Sequence, residues 1–434
     1  MSASEIDRAL GERRALGIRL GLAAIETVYA ALGRPGAAWP TIHVVGTNGK
    51  GTTAWLLERA LGRHGWRTGV YTSPHLHRVT ERVRVDAEPV SEQALERALA
   101  TVRAAEAGAA RALTFFELLT LAGLVIFEQA AVDGMIVEAG LGGRRDATRI
   151  VQADAVAVTS IGLDHVESIG PTLADIAREK AGAMVGGVPT VSAMQGPEVE
   201  AVLRQEAQAV GSPLRFVPPR PVAVPGLLGA HQRHNAAVAL AVGQCLEPAL
   251  TEADLAGPPL PGRLERLEHG GGELWLDVAH NPEGIAAMVA TIEAGHVPRP
   301  DLVVFGCHAD KDRAGMEAAL DRLGCPRWWV LPVERAVERA RHRAMHRAVH
   351  RDRQGESGGP ALHSGRATEG AKNEGEPLGF SDLDDPELWS SVTSALLAGR
   401  RILGCGSHGL VAALRAWAHG RRDPADPQDP RVRG

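Results

Sequence analysis

Residues 42–53, Ile-His-Val-Val-Gly-Thr-Asn-Gly-Lys-Gly-Thr-Thr, constrain the fold more than any other stretch of the chain. Ile42, Val44 and Val45 form a short β-branched run suited to a strand buried on both faces, the pattern of a parallel sheet. Gly46, Gly49 and Gly51 follow, and residues without a Cβ let successive N–H groups turn inward around phosphate oxygens. Lys50 adds a mobile positive charge, and a helix running on through Ala54 to Leu61 would aim its positive end at the same anion. The stretch therefore predicts an α/β domain with a phosphate-binding turn at the carboxyl edge of its sheet. It departs from the strict P-loop: Val44 stands where the first glycine belongs, and Gly51 separates Lys50 from the first hydroxyl, Thr52. An ordinary glycine-rich turn is the alternative from this stretch alone.

Three further strand ends carry chemistry. A helix over 52–63 and a strand over 67–71 lead to Thr72-Ser73-Pro74, where a serine at the carboxyl edge offers a neutral oxygen to a cation bridging phosphates. The alternative is a serine satisfying its own local turn. After helical patterns at 92–106 and 114–130, the apolar strand 132–138 closes on a carboxylate, which is costly to bury unless a cation meets it. Glu138 is thus a candidate Mg²⁺ ligand in the role of a Walker B acid. A strand over 155–159 ends in Ser160-Ile161-Gly162-Leu163-Asp164-His165, so His165 repeats that placement, although a lone histidine is usually a polar core or surface residue. Residues 172–183 read as a capped helix.

Composition bounds the rest. A chain of 434 residues suits two or three domains, and 44% hydrophobic residues suffice for buried cores. Only 4% are aromatic, so those cores rest on Ala, Val, Leu and Ile. A net charge of −5 gives no global attraction to nucleic acid or to an anionic membrane. Cys245, Cys307, Cys325 and Cys405 are far apart with no paired spacing, which argues for free thiols in a reducing compartment. The first fourteen residues lack an apolar signal core, and the longest apolar run, 118–127, is too short to span a bilayer. A cytoplasmic protein with no membrane or nucleic-acid partner is the expectation.

Taken together, several motifs resemble the folylpolyglutamate synthase / dihydrofolate synthase family of the Mur ligase superfamily. They are Gly46-Thr47-Asn48-Gly49-Lys50-Gly51-Thr52, Ser73-Pro74-His75-Leu76 with Glu81-Arg82, and Glu138-Ala139-Gly140-Leu141-Gly142-Gly143-Arg144 with Asp146-Ala147-Thr148. Gly162-Leu163-Asp164-His165 and Arg178-Glu179-Lys180-Ala181-Gly182 follow in the same order, then His231-Gln232 with Asn235, and Pro261-Gly262-Arg263. Leu276-Asp277-Val278-Ala279-His280-Asn281-Pro282 and Gly404-Cys405-Gly406-Ser407 complete the series, so the likeness covers nearly the whole chain. Val278 stands where the family commonly has glycine, and Arg149 where it commonly has asparagine.

The resemblance implies a P-loop-containing, mostly parallel-sheet N-terminal domain of Mur ligase type and a smaller Rossmann-like α/β C-terminal domain. It also implies ATP-dependent addition of L-glutamate to dihydropteroate or to a tetrahydrofolate-type acceptor through an acyl phosphate. By this likeness Thr47, Asn48, Gly49, Lys50, Gly51 and Thr52 would hold phosphates. Ser73 and Glu138 would sit on one Mg²⁺ and His165 on a second. Lys180 matches the lysine that the family carbamylates, whereas spacing alone favours a solvated residue paired with Asp175 or Glu179. Thr114, Phe115, Phe116 and Glu117, with Arg145, Asp146 and Ala147, fall at the family's pterin pocket, though the phenylalanines suit a core equally. Asn235 resembles an adenine-side contact, with helix capping as its plain alternative. Arg263, Asp277 and His280 would meet ATP from the second domain on closure.

The expected boundaries are 1–257 for the first domain, a stiff linker at 258–262 and 263–420 for the second, with strands at 274–277, 302–305, 328–331 and 401–404. Residues 334–353 suit a solvated Arg/His-rich helix, 354–379 a disordered insertion and 421–434 a frayed tail. A monomer is the default. Two other readings stand beside the first: a Mur-type ligase for a different carboxylate, and a nucleotide-binding regulator without ligase activity.

Overall fold

The strand before the glycine turn is β1, Thr41–Val45, near the centre of an eight-stranded sheet. In this computed structural model the described residues are scattered positions from Ile6 to Arg19, then 21–220, 224–330, 377–381 and 386–419. The expected helix at 334–353, most of the expected insertion and the tail after Gly420 lie outside them.

The other strands of this sheet are β2 (Thr68–Tyr71), β3 (Val83–Val85), β4 (Glu88–Pro89), β5 (Gly134–Glu138), β6 (Ala155–Val158), β7 (Thr190–Ala193) and β8 (Leu214–Val217), in the order β4-β3-β2-β5-β1-β6-β7-β8. From β2 to β8 all pairs are parallel, and β3 and β4 add an antiparallel edge. The carboxyl ends of β2, β5, β1 and β6 are therefore side by side. These four ends carry Ser73, Glu138, the glycine turn and the loop to His165. The chain leaves β1 towards β2 but crosses β1 again between β5 and β6, which makes this edge the topological switch where open α/β sheets hold ligands.

Alternation along the strands explains the layers. Ile42, Val44, Ile136, Ala155, Ala157 and Val191 face the helices Lys50–Arg63 and Ala230–Gly243 in one core. On the opposite face, Met135 and Val137 join a core with Phe115–Ala130, and Val45, Val156 and Val158 one with Leu173–Ala181 and Pro197–Val210. The helix after the glycine turn starts poorly, because Gly51 costs about 1 kcal/mol against alanine in its first turn. Fully buried Leu56 and Leu57 offset that, each contributing about 1.5–3 kcal/mol.

The chain divides into two compact units after Arg263. The second holds a six-stranded sheet of β9 (Glu265–His269), β10 (Gly272–Asp277), β11 (Leu302–Phe305), β12 (Arg327–Val330), β13 (Pro377–Ser381) and β14 (Arg401–Cys405), ordered β13-β12-β11-β14-β10-β9. All pairs are parallel except β9 with β10. Two differences from the sequence reading stand out. The β9 hairpin partner is absent from that reading, since Glu265-Arg266-Leu267-Glu268-His269 carries few β-formers and is a strand by virtue of pairing with β10. The insertion expected through residue 379 ends earlier, because Pro377–Gly379 already pair with β12 as the sheet edge. Proline opening an edge strand is the place where its missing N–H is tolerated.

Candidate active site

The glycine turn leaves β1 between two anchors: Ala139 N donates to Val44 O and Thr159 N to Val45 O, each at 2.9 Å. Gly46 has φ 146°, and a Cβ there would lie 1.9 Å from Thr159 Oγ1; Gly49 has φ 92°, and its Cβ would lie 2.1 Å from Asn235 Oδ1. Only glycine fits either position. Thr47 N and Asn48 N donate to Ser160 O at 2.8 and 3.3 Å, and the Thr47 hydroxyl donates to Gly162 O at 3.0 Å while accepting from Gly162 N at 3.1 Å. Thr47 and Asn48 thus shape the turn and spend their N–H groups inside the protein. The helix Lys50–Arg63 makes its first i→i−4 bond from Thr53 N to Gly49 O at 2.9 Å, so the N–H groups of Lys50, Gly51 and Thr52 have no helical acceptor. The Thr52 hydroxyl is buried without a hydrogen-bond partner. A ring of orphaned donors at a helix N-terminus is an anion site.

Charged groups converge on the same place. Glu138, 3% exposed, accepts from Ser73 N at 3.1 Å. Burial pushes its carboxyl up, against the pull of Lys50, the Ser73 amide and Arg263. A Cβ on Gly51 would be 3.6 Å from Glu138 Oε2 and 3.8 Å from Arg263 Nη2, which puts both side chains over the first turn of the helix. Lys50 Nζ folds back onto Thr47 O at 3.1 Å. Lys180 is 4% exposed and donates to Gly46 O at 2.7 Å. This overturns the solvated alternative: Asp175 takes Arg178 and Glu179 takes Arg145 instead. Burial, with the like charge of Lys50 second, lowers the Lys180 amine to about 7 in spite of Asp164, Asp146 and Glu179. His165 begins the short helix Val166–Ile169 in the left-handed conformation, φ 51°, and its Nε2 is 3.9 Å from Asp164 Oδ2. Among the described residues no three His, Cys, Asp or Glu side chains cluster as a ready metal cage. A buried carboxylate with one backbone donor beside a partnerless hydroxyl nevertheless fits a cation that draws its other ligands from a bound nucleotide.

Over 337 residues the chain is 36% identical to the dihydrofolate synthase/folylpolyglutamate synthase of Escherichia coli (strain K12), an alignment covering 73% of this chain and 78% of that protein. This chain belongs to the dihydrofolate synthase/folylpolyglutamate synthase family of ATP-dependent ligases. Residues 262–367 match the Mur ligase glutamate ligase domain. The solved structure of E. coli FolC in complex with DHPP and ADP superposes with a TM-score of 0.79 at 30% identity, covering 97% of this chain and 98% of that one. A bifunctional folylpolyglutamate synthase/dihydrofolate synthase with Mn, AMPPNP and L-glutamate bound gives 0.74 at 30% identity, covering 94% and 97%.

The residues matched to the family's pterin pocket fall into two kinds. Thr114 caps the helix Phe115–Ala130 and Glu117 closes the capping box, with Glu117 also paired to Arg111 at 2.6 Å. Burial alone would raise the Glu117 carboxyl, but Arg111 and the Thr114 amide outweigh it and hold it below the ordinary range. Phe115 and Phe116 are only half buried: Arg82 lies 5.0 Å from the Phe115 ring centroid, and Phe116 packs on Tyr71. In the loop after β5, Asp146 Oδ1 takes Thr148 N at 2.9 Å and the Thr148 hydroxyl at 2.5 Å, and its Oδ2 takes Leu141 N at 2.7 Å. Ala147 is buried, and Arg145 is held by Glu179 through its N–H at 3.0 Å and its Nε at 3.2 Å. Arg149, the family's usual asparagine, donates to Gly182 O at 3.3 Å. Asn235 caps nothing: the helix Ala230–Gly243 is capped by Gly229, and Asn235 donates to Gln232 Oε1 at 2.8 Å within it.

In the second unit, Asp277 ends β10 and accepts from Leu264 N at 2.9 Å and Ala279 N at 2.8 Å. His280 Nδ1 lies 2.9 Å from Val278 O, and its ring centroid is 5.5 Å from that of His408. Sequence reasoning missed Arg84, which donates through Nε to both oxygens of buried Glu58 and so ties β3 to the helix after the turn. The available signal was an arginine alternating with Val83 and Val85 in a short strand. No helix among the described residues is long and apolar enough to cross a membrane.

Proposed function

We propose that the chain joins L-glutamate to dihydropteroate, to reduced folate (poly)glutamates, or to both, at the expense of ATP. The observation that carries this reading is the helix N-terminus after the glycine turn, where the N–H groups of Lys50, Gly51 and Thr52 have no helical acceptor, with buried Glu138 beside Gly51 and buried Lys180 on Gly46 O. That arrangement supports a role for these donors and the mobile Lys50 cation in stabilising the charge that a γ-phosphoryl group gains. A carboxylate oxygen of the acceptor attacks the γ-phosphorus and ADP leaves, giving an acyl phosphate. The glutamate amine then attacks the acyl carbon, loses a proton, and phosphate departs as the amide forms. Such chemistry needs positioning and electrostatic stabilisation more than a covalent nucleophile. E. coli FolC with DHPP and ADP, and the related enzyme with Mn, AMPPNP and L-glutamate, support the choice of substrates.

Ser73 and Glu138 would hold one Mg²⁺, and His165 with Lys180 a second. When bound, the metal neutralises charge on the phosphate oxygens. A neutral Lys180 amine can add CO₂ with loss of a proton, becoming a carbamate that reverses its charge. Asn235, Arg263, Asp277 and His280 are proposed nucleotide contacts, and Phe115, Phe116 and Arg145 acceptor contacts. We also propose a cytoplasmic monomer.

The test is ADP formation measured with acceptor and glutamate varied independently. ADP release that needs L-glutamate together with dihydropteroate or a tetrahydrofolate mono- or diglutamate is expected. ADP release at the same rate without any acceptor would reject the ligase reading.

A further inference from the structure

The phosphate turn hangs from the loop Thr159–Gly162: Ser160 O takes the N–H groups of Thr47 and Asn48, Ser160 Oγ donates to Asn48 O at 3.3 Å, and Gly162 exchanges two bonds with the Thr47 hydroxyl. What fixes that loop is a side chain from the neighbouring strand. Gln195, two residues beyond β7, accepts from Ile161 N at 3.1 Å and donates through Nε2 to Thr159 O at 2.9 Å and Ser192 Oγ at 3.2 Å. One amide therefore grips the backbone on both sides of Ser160, the residue on which the turn depends. The same loop continues through Gly162 to Asp164 and His165.

We propose that Gln195 is a positioning residue for nucleotide binding, holding the Thr159–Gly162 loop so that the turn presents the N–H groups of Lys50, Gly51 and Thr52 in register. The inference rests on the nucleotide-binding reading above. Only a primary amide does both jobs. Glutamate keeps the acceptor for Ile161 N but loses the donor to Thr159 O, and methionine matches the length while losing both.

The experiment uses the full chain and titrates ADP by calorimetry in the presence of MgCl₂, with KM for ATP and for dihydropteroate measured alongside. Gln195→Met should weaken ADP binding about tenfold, equivalent to about 1.4 kcal/mol, and raise KM for ATP in step while KM for dihydropteroate stays within about twofold. Gln195→Glu should shift both in the same direction. ADP affinity within about twofold of wild type in both variants would overturn the proposal, as would equal rises in the two KM values. Should Gln195→Met fail to fold, Gln195→Glu alone decides: it should weaken ADP about threefold through loss of the donor to Thr159 O, and unchanged affinity there overturns the proposal. A wild-type protein that joins glutamate while the variants bind ADP normally rejects this inference alone. Weakened ADP binding in the variants of a protein that joins no glutamate rejects the ligase reading alone.

Discussion

Two glycine-rich turns leave neighbouring strands of one sheet, yet they are built in opposite ways. The turn after β1 keeps donors at Lys50, Gly51 and Thr52 without helical acceptors and gathers Glu138 and Lys180 in surroundings that disfavour their charges. The turn after β5 leaves little unspent. Asp146 takes three donors, Glu179 holds Arg145, and the Thr148 hydroxyl, which donates to Asp146, accepts from buried His43 Nε2 at 2.8 Å. Burial, with Arg149 second, lowers the His43 imidazole to about 3, so it stays neutral and donates. Polar groups satisfied internally rigidify a loop, whereas polar groups left unmatched are where a ligand is awaited.

The largest effect expected from this contrast is at Lys50. Lys50→Ala should lower acceptor-dependent ADP formation by about 10³-fold or more with little change in melting temperature, since the role proposed for this half-buried residue is charge stabilisation. A large fall in melting temperature would place the first turn in the same class as the second. Thr148→Val should show the reverse pattern. It strands the His43 donor and an Asp146 lone pair and should cost about 1–3 kcal/mol in denaturant unfolding, with ADP affinity unchanged and Thr148→Ser restoring stability. The smallest effect is the pH response of Lys180. Its folded pKa lies below its unfolded value, so between about 7 and 10.5 the unfolded chain binds more protons and stability rises with pH. Relative to Lys180→Met, the wild type should gain stability from pH 7 to pH 8, by at most about 1.4 kcal/mol. A flat difference across that window would mean the amine is not desolvated.

Much of this was legible in the sequence because it is local. The buried strands that lead to Gly46, Glu138 and Ser160 are short β-branched or apolar runs, and the four relevant strand ends come in an order that a parallel sheet makes adjacent. Thr114 and Glu117 also carried a readable local signal, a capping box before an apolar run, which competes with their assignment to the pterin pocket. What stayed hidden is non-local. Lys180 lies close in sequence to two carboxylates, Asp175 and Glu179, and only tertiary packing shows that its amine is instead held by Gly46 O. Asn235 owes its position to the missing Cβ of Gly49, far away in sequence. Gln195 and Arg84 act on backbone and carboxylate groups brought close by the sheet, and β9 exists only through its pairing with β10.

The proposed reaction has the turn after β1 deliver a phosphoryl group onto the acceptor's own carboxylate. The most direct measurement uses dihydropteroate, or a folate acceptor that turns over, with oxygen-18 in the reacting carboxyl group, and follows the label into phosphate by mass spectrometry. One labelled oxygen is expected in each phosphate released, formed only when ATP, acceptor and L-glutamate are all present. Phosphate carrying no label while the amide product accumulates would contradict it.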